Sequence, residues 1–111
     1  MTNKQIVADI TKRLLLGESL TNIWFDSICQ KKLPWLKILL DKFNVNINVT
    51  NQTGANAIIY AVNMYYTTSV KYLLKYPGID LYIKNNRNQN LQDFIALRYD
   101  KSAKLIRKAL E

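Results

Sequence analysis

The most informative absence in the sequence is histidine, which does not occur at all. Without histidine the chain cannot form a Ser-His-Asp or Cys-His nucleophilic site, a histidine metal site or a histidine proton relay. Its carboxylates are few and scattered, without the spacing of a metal site or of a general acid and base pair. The composition therefore predicts a protein that is not an enzyme and that needs neither a cofactor nor a metal.

Cysteine, glycine and long apolar runs are also scarce. Cys29 is the single cysteine, so no disulfide can form within the chain, and nothing indicates a stapled secreted scaffold. Gly17, Gly54 and Gly78 lie too far apart to build a glycine-rich phosphate loop. No apolar run approaches the ~20 residues of a transmembrane helix, and the charged start is unlike a signal peptide. We therefore expect a soluble, cytoplasmic protein without a membrane span.

Positive charge exceeds negative charge, with 16 lysine and arginine residues against 8 acidic ones and a formal net charge of +8. A basic surface binds nucleic acid or an anionic surface through its charge, and an acidic protein explains the excess equally well. Asparagine, lysine, isoleucine and tyrosine, whose codons are A/T-rich, are abundant. An AT-rich genome would supply part of the charge, and it favours an origin in a virus, a phage or an intracellular bacterium.

The sequence repeats itself with a fixed 34-residue period, which we call the repeat period. The segment from Leu33 to Gly54 aligns without a gap on the segment from Thr67 to Asn88. Apolar positions meet apolar positions and polar positions meet polar ones, as where Leu39 meets Leu73. Repeats of this length indicate stacked helical units, because one unit cannot bury its own apolar faces.

Each unit is predicted to consist of a helix, a turn, a second helix and an extended loop. Residues 57–64 form an apolar helix candidate, and residues 70–76 carry apolar side chains at helical spacing. Pro77 and Gly78 end the second helix. Apolar and polar residues then alternate over residues 79–84, a pattern typical of extended backbone.

This unit resembles the ankyrin repeat, whose typical length is ~33 residues and whose signature is T-P-L-H-x-A. Gly54, Ile58 and Ala61 match the family's glycine, leucine and alanine, whereas Asn56 replaces its threonine. Residues 70–74 are similar to the family's V-V-K-L-L-L helix. The resemblance implies an all-α solenoid of helix-turn-helix units joined by extended hairpin-like loops. A plain bundle of four to six helices is the alternative, although a bundle would not require a fixed repeat period.

One structural domain with a leading helix follows from this division. Its predicted segments are an N-terminal capping helix (1–17), repeat 1 (18–50), repeat 2 (51–84), and repeat 3 with a C-terminal cap (85–111). Ile6, Ile10 and Leu14 form one apolar stripe on the leading helix. We expect that stripe to cover the first repeat.

Several side chains in the first two repeats have a predicted role in packing. Trp24, Phe25 and Trp35 are expected in the core, and Cys29 is expected to be a small buried apolar side chain. Tyr65 has two interpretations, because it could pack between repeats or contact a partner.

Binding to another protein is the function that the resemblance implies. In this family partners contact the hairpin tips and the exposed side of the inner helices. By position these residues are Gln52, Thr53, Ala55, Asn63 and Met64 in repeat 2, and Asn86, Arg87, Gln89, Leu97 and Arg98 in repeat 3. Tyr82 joins them, because tyrosine and arginine dominate many interfaces.

We therefore expect a monomeric or weakly dimeric adaptor or inhibitor whose partner is another protein, with charge favouring an acidic one. If the chain comes from a virus or an intracellular bacterium, it is an effector expected in the host cytoplasm. The alternative function is that of a basic protein that binds nucleic acid or an anionic surface. A third interpretation is a structural piece that dimerises through an exposed end repeat.

Overall fold

The computed structural model describes every residue from Met1 to Glu111 and contains seven α-helices and no β-strand. The helices are α1 (Asn3–Leu15), α2 (Leu20–Cys29), α3 (Leu33–Asp41), α4 (Ala57–Asn63), α5 (Thr67–Leu74), α6 (Leu91–Ile95) and α7 (Lys101–Ala109). The all-α class is confirmed. Residues 79–84 form a loop, as predicted, and half-buried apolar side chains alternate in it with exposed polar ones.

The helices recur at the repeat period found in the sequence. α3, α5 and α7 begin at Leu33, Thr67 and Lys101, so each start follows the previous one by one repeat period. α4 and α6 begin at Ala57 and Leu91, which are separated by the same period. The apolar pattern that repeats in the sequence therefore corresponds to helices that repeat in space.

Residues in the left-handed backbone region follow the same period. The pairs are Lys31 and Tyr65 (φ 58° and 63°), Asn44 and Gly78 (56° and 88°), and Gly54 and Asn88 (80° and 60°). The two members of each pair are one repeat period apart in the sequence. Because residues other than glycine adopt this conformation uncommonly, three such coincidences show that successive units turn the chain at equivalent places.

The helices form two layers. In the inner layer α4 packs between α2 and α6, and in the outer layer α5 packs against α7 while α1 packs against α3. Each inner helix also packs against the outer helix that follows it. The result is an elongated molecule with extents of 42 × 27 × 21 Å.

The core lies between these layers and is continuous along the molecule. Trp24, Phe25 and Trp35 are buried, which confirms their predicted role. Ile6 and Ile10 of α1 belong to the same apolar cluster, so α1 covers the first unit as expected. None of the helices has both the length and the apolar character needed to cross a membrane.

Candidate binding groove

Two asparagines shape the loops that precede the inner helices α4 and α6. Asn51 Oδ1 accepts hydrogen bonds from the backbone amides of Thr53 (3.0 Å) and Ala55 (3.1 Å). Asn85, one repeat period later, accepts the equivalent bonds from the amides two and four residues beyond it. We call residues 51–55 the first tip and residues 85–89 the second tip. A side-chain acceptor that satisfies two loop amides gives each tip a fixed shape.

The two tips are bonded directly to each other. The backbone amide of Asn86 donates to Thr53 O (2.9 Å), and Asn86 Nδ2 donates to Gln52 O (3.0 Å). Gly54 lies against Asn86 so closely that an added Cβ atom would come within 2.8 Å of the Asn86 nitrogen. The tips therefore present one joined surface, and Gly54 allows their close approach.

A cavity of about 900 Å³ lies between the first tip and the inner helices α2 and α4. Arg13 lines it and donates a bidentate pair of hydrogen bonds to Glu18 (2.7 and 2.8 Å) and a third bond to Asp26 (2.9 Å). The hydrogen bond from Arg13 lowers the pKa of Glu18 below its ordinary value. Two carboxylates face one guanidinium here, so this end is locally acidic in a chain of net charge +8.

Aromatic side chains and the single cysteine occupy the floor of this cavity. The Tyr60 ring contacts those of Phe25 and Tyr66 edge-on, at 5.5 and 5.8 Å between centroids. Cys29 Sγ lies 3.2 Å from Tyr66 Oη. The expectation that Cys29 is a buried apolar residue is wrong, because its side chain is half-buried and lines the cavity. Burial raises the pKa of Tyr60, and the contact with Cys29 raises that of Tyr66, so both phenols stay protonated.

A second cavity, of about 380 Å³, lies beside the second tip. It is lined by Thr53, Asn63, Asn85, Asn86, Arg87, Gln89 and Phe94. Thr53 also lines the first cavity, so the two adjoin across the first tip. We call the two cavities together the groove. Its lining is acidic at the α2 end and carries the cation Arg87 at the other end.

Most of the residues predicted to bind a partner lie in this groove, and the remainder lie elsewhere. The groove residues are Gln52, Thr53, Asn63, Asn86, Arg87 and Gln89. Ala55 does not belong with them, because only 4% of it is exposed and it packs in the core. Tyr82 is 69% exposed but stands in the loop over residues 79–84, outside both cavities.

Met64, Leu97 and Arg98 lie on the turns at the far ends of α4 and α6. The guanidinium of Arg98 stands 3.8 Å from the centroid of the Tyr65 ring, and its Nη1 donates to Val62 O (2.8 Å). Tyr65 is 58% exposed, so it does not belong to the core. Its ring lies at the surface against the arginine of the next unit, which is a contact between repeats, and the rest of the ring stays open to a partner.

Arg13, Glu18, Asp26 and Tyr60 were not among the predicted binding residues. Asp26 was accessible to sequence reasoning, because residues 22, 26 and 29 follow one polar face of α2 at helical spacing. Arg13 and Glu18 could not be found in this way, because Arg13 reaches the groove from α1 and Glu18 reaches it from the loop before α2.

Comparison with known proteins adds no assignment: no family model, curated protein or solved structure matches the chain. Within the structure, no group of three or more histidine, cysteine, aspartate or glutamate residues is arranged to hold a metal ion. The groove and the repeat period are therefore the observations from which function is argued.

Proposed function

We propose that the chain is an ankyrin-type solenoid that binds another protein in its groove, as an adaptor or inhibitor, without making or breaking a bond. The recurrence of helix starts and of left-handed residues at the repeat period supports a solenoid over a plain bundle. A stack of such units presents an extended surface to which successive units each contribute contacts.

The observation that carries the proposal is that some tip side chains hold the tips in shape while others form no hydrogen bond within the chain. Thr53, Asn86 and Gln89 use their side chains to hold the tips in shape. The side chains of Gln52 and Arg87 form no hydrogen bond within the chain. A preformed binding surface requires two kinds of group. Some keep its loops rigid, and their neighbours remain free to form hydrogen bonds with a partner.

The charges of the groove define the segment that it fits. Arg13 neutralises only one of the two carboxylates Glu18 and Asp26, so the remaining negative charge favours a basic or amide side chain over the first cavity. The aromatic floor of Phe25 and Tyr60 supplies apolar contact there. Arg87 favours a carboxylate or carbonyl group over the second cavity. Binding would act by occluding the partner or by bridging it to another molecule.

The test compares capture by the wild-type chain with capture by a groove variant and a matched control. The groove variant is Asn63→Ala with Arg87→Ala, and the control is Lys37→Ala with Lys108→Ala, which are exposed on the outer helices. A groove partner should be retained by the control. It should bind the groove variant at least about tenfold more weakly, because the loss of a dominant interface side chain, a class in which arginine is enriched, costs about 2 kcal/mol or more.

Cys29 provides a second measurement, since it is the only cysteine and lines the groove. A partner seated in the groove should slow the alkylation of Cys29 in the wild-type chain. If the captured partner binds both variants equally and leaves Cys29 alkylation unchanged, the groove is not its site and the proposal fails. The viral or bacterial origin, the effector role and the cytoplasmic location remain predictions.

A further inference from the structure

Exposed apolar side chains concentrate on the turns that join inner to outer helices, at the other end of α4 and α6 from the tips. Leu97 is 90% exposed, Tyr99 79%, Tyr65 58% and Met64 46%. They are four of the eight large apolar residues exposed in the molecule. We call the surface formed by the turns over residues 30–32, 64–66 and 96–100 the turn edge.

The last two turns of the turn edge are joined by direct contacts. Arg98, in the last turn, lies against the ring of Tyr65 in the middle turn and donates to Val62 O at the end of α4. These contacts fix the position of the last turn, with its exposed Leu97 and Tyr99, relative to the middle turn, with its exposed Met64 and Tyr65. Contiguous exposed apolar side chains of this kind mark an interaction site, unlike apolar residues scattered singly.

Unpaired lysines border these apolar side chains. Lys31 is exposed in the first turn, and Lys71 and Lys101 are exposed beside the later two. The neighbouring ammonium of Lys101 lowers the pKa of Lys71. Every ion pair in the structure uses Arg13 or Arg98, so no lysine is neutralised by a carboxylate. The one acidic side chain of the turn edge, Asp100, is already paired with Arg98.

The backbone at Tyr65 favours a role for the exposed ring. Its φ of 63° lies in the left-handed region, which glycine adopts without penalty and tyrosine does not. Tyr65 is only partly covered, by the Arg98 guanidinium, and more than half of the residue remains exposed. The contact with Arg98 accounts for part of the ring, and the exposed remainder is available to a ligand.

We infer that the turn edge docks on an anionic lipid bilayer. Leu97 and Met64 would enter the boundary between headgroups and acyl chains. Tyr65 and Tyr99 would lie at the headgroup level where tyrosine concentrates, and the lysines would face the anionic headgroups.

Protruding apolar side chains together with unpaired lysines fit an anionic bilayer. The four apolar residues of the turn edge line neither the groove nor the cavities at the two ends of the molecule. A bilayer accepts protruding apolar side chains without a shaped surface around them, and its anionic headgroups complement the unpaired lysines. The inference does not rest on the proposed function, because the groove and the turn edge are separate surfaces.

The test is co-sedimentation of the purified chain with phosphatidylcholine vesicles that contain or lack phosphatidylserine. The wild type should bind only the phosphatidylserine vesicles, and it should dissociate as salt is raised, because salt screens the lysines. Tyr65→Gly with Leu97→Gln should lower the partition coefficient by about tenfold or more, since a buried leucine alone accounts for that much. Glycine suits the backbone at position 65, so this variant should keep its thermal stability.

Charge is tested separately with two pairs of exposed lysines, one on α5 and α7 beside the turn edge and the other farther along α7. Lys71→Gln with Lys101→Gln should weaken vesicle binding by about tenfold or more. Lys104→Gln with Lys108→Gln, which removes the same charge farther along α7, should weaken it by less than about threefold. Absence of binding to phosphatidylserine vesicles at low salt overturns the inference. Binding that is unchanged by Tyr65→Gly with Leu97→Gln overturns it too, since charge alone would then account for the attraction.

Discussion

The middle unit (residues 51–84) and the last unit (residues 85–111) are built on one plan, yet their inner helices differ. Both begin with a tip organised by an asparagine, and Asn56 and Asn90 each cap the helix that follows. α4 nevertheless has seven residues, five of them buried, whereas α6 has five residues, two of them buried.

Neighbouring helices explain this difference better than local sequence does. α6 has the more complete cap, because the Asn90 backbone amide also donates a hydrogen bond to the Asp93 carboxylate. α4 lies between α2 and α6, whereas α6 has an inner neighbour on one side only. Most helical stability in proteins comes from packing of an apolar face, so we expect a middle unit that depends on burial and a last unit that depends more on its caps and ion pairs.

The strongest test of this difference between the units is to create a matched cavity in each of them. Ile58 of α4 is fully buried, and Ile95 of α6 is 4% exposed at the end of the layer. Ile58→Ala should lower the free energy of unfolding by about 3–4 kcal/mol and Ile95→Ala by about 2 kcal/mol, because a cavity bounded on both sides relaxes least.

Urea unfolding followed by circular dichroism measures both isoleucine variants. Leu97→Ala, at a 90% exposed position, is the control and should leave stability within about 0.5 kcal/mol. Equal losses for Ile58→Ala and Ile95→Ala would contradict the difference between the units.

The tips provide the next largest effect. Gly54→Ala places a Cβ against Asn86 and in a left-handed conformation, so it should cost about 2–3 kcal/mol. Asn88, at the equivalent position of the second tip, has φ 60° and an exposed side chain. Asn88→Gly should therefore change stability by less than about 1 kcal/mol. Thermal unfolding of the two variants measures these changes in stability. If their unfolding midpoints are similar, the tips do not depend on the close contact between Gly54 and Asn86.

Regular features of the fold could be predicted from the sequence because they leave a periodic trace. The repeating apolar pattern located the second helix of each unit, and the alternation over residues 79–84 identified the half-buried side of that loop. Trp24 was correctly placed in the core by its apolar surroundings.

The groove could be predicted only in part, because its lining depends on contacts between units. Ala55 occupies a tip position, but its side chain turns inward to the core. Arg13 joins the groove through Asp26, a contact between α1 and α2 that no local pattern encodes. Arg98 was predicted as a binding residue, yet most of its polar atoms bond the chain itself.

The buried cap of the middle unit should matter more than the exposed cap of the last one. Asn56 is fully buried, accepts from the Ile59 amide and donates to Asp80 O (3.0 Å). Asn56→Ala removes the cap and leaves Asp80 O without this donor, at a cost of about 2 kcal/mol.

Asn90→Ala removes the corresponding cap at a half-exposed site and should cost about 1 kcal/mol. Asn56→Asp serves as a control, since it keeps the cap but loses the donor to Asp80 O. If chemical denaturation shows a larger loss of unfolding free energy for Asn90→Ala than for Asn56→Ala, the comparison is reversed.

The smallest predicted effect is a dependence of stability on pH. It arises at α7 in the last unit and is absent at α5, the equivalent helix of the middle unit. Asp100 caps α7 and pairs with Arg98 (2.8 and 2.9 Å), which lowers its pKa to about 2. Tyr66, at the equivalent position of the middle unit, gives α5 no side-chain cap. A carboxylate with a lower pKa in the folded state stabilises the fold above its unfolded pKa of about 4. Its contribution is lost as pH falls from about 4 to about 2.

Asp100→Asn separates the ion pair from the cap, because asparagine also caps helices well. The variant should be less stable than the wild type by up to about 1 kcal/mol at neutral pH, as for other partly exposed ion pairs, and the difference should shrink as pH falls through that window. Glu18, whose pKa Arg13 also lowers, should continue to contribute acid sensitivity in the variant. If urea unfolding gives the wild type and Asp100→Asn parallel pH profiles down to about pH 2, the ion pair does not stabilise the last unit, and burial must hold it as it holds the middle one.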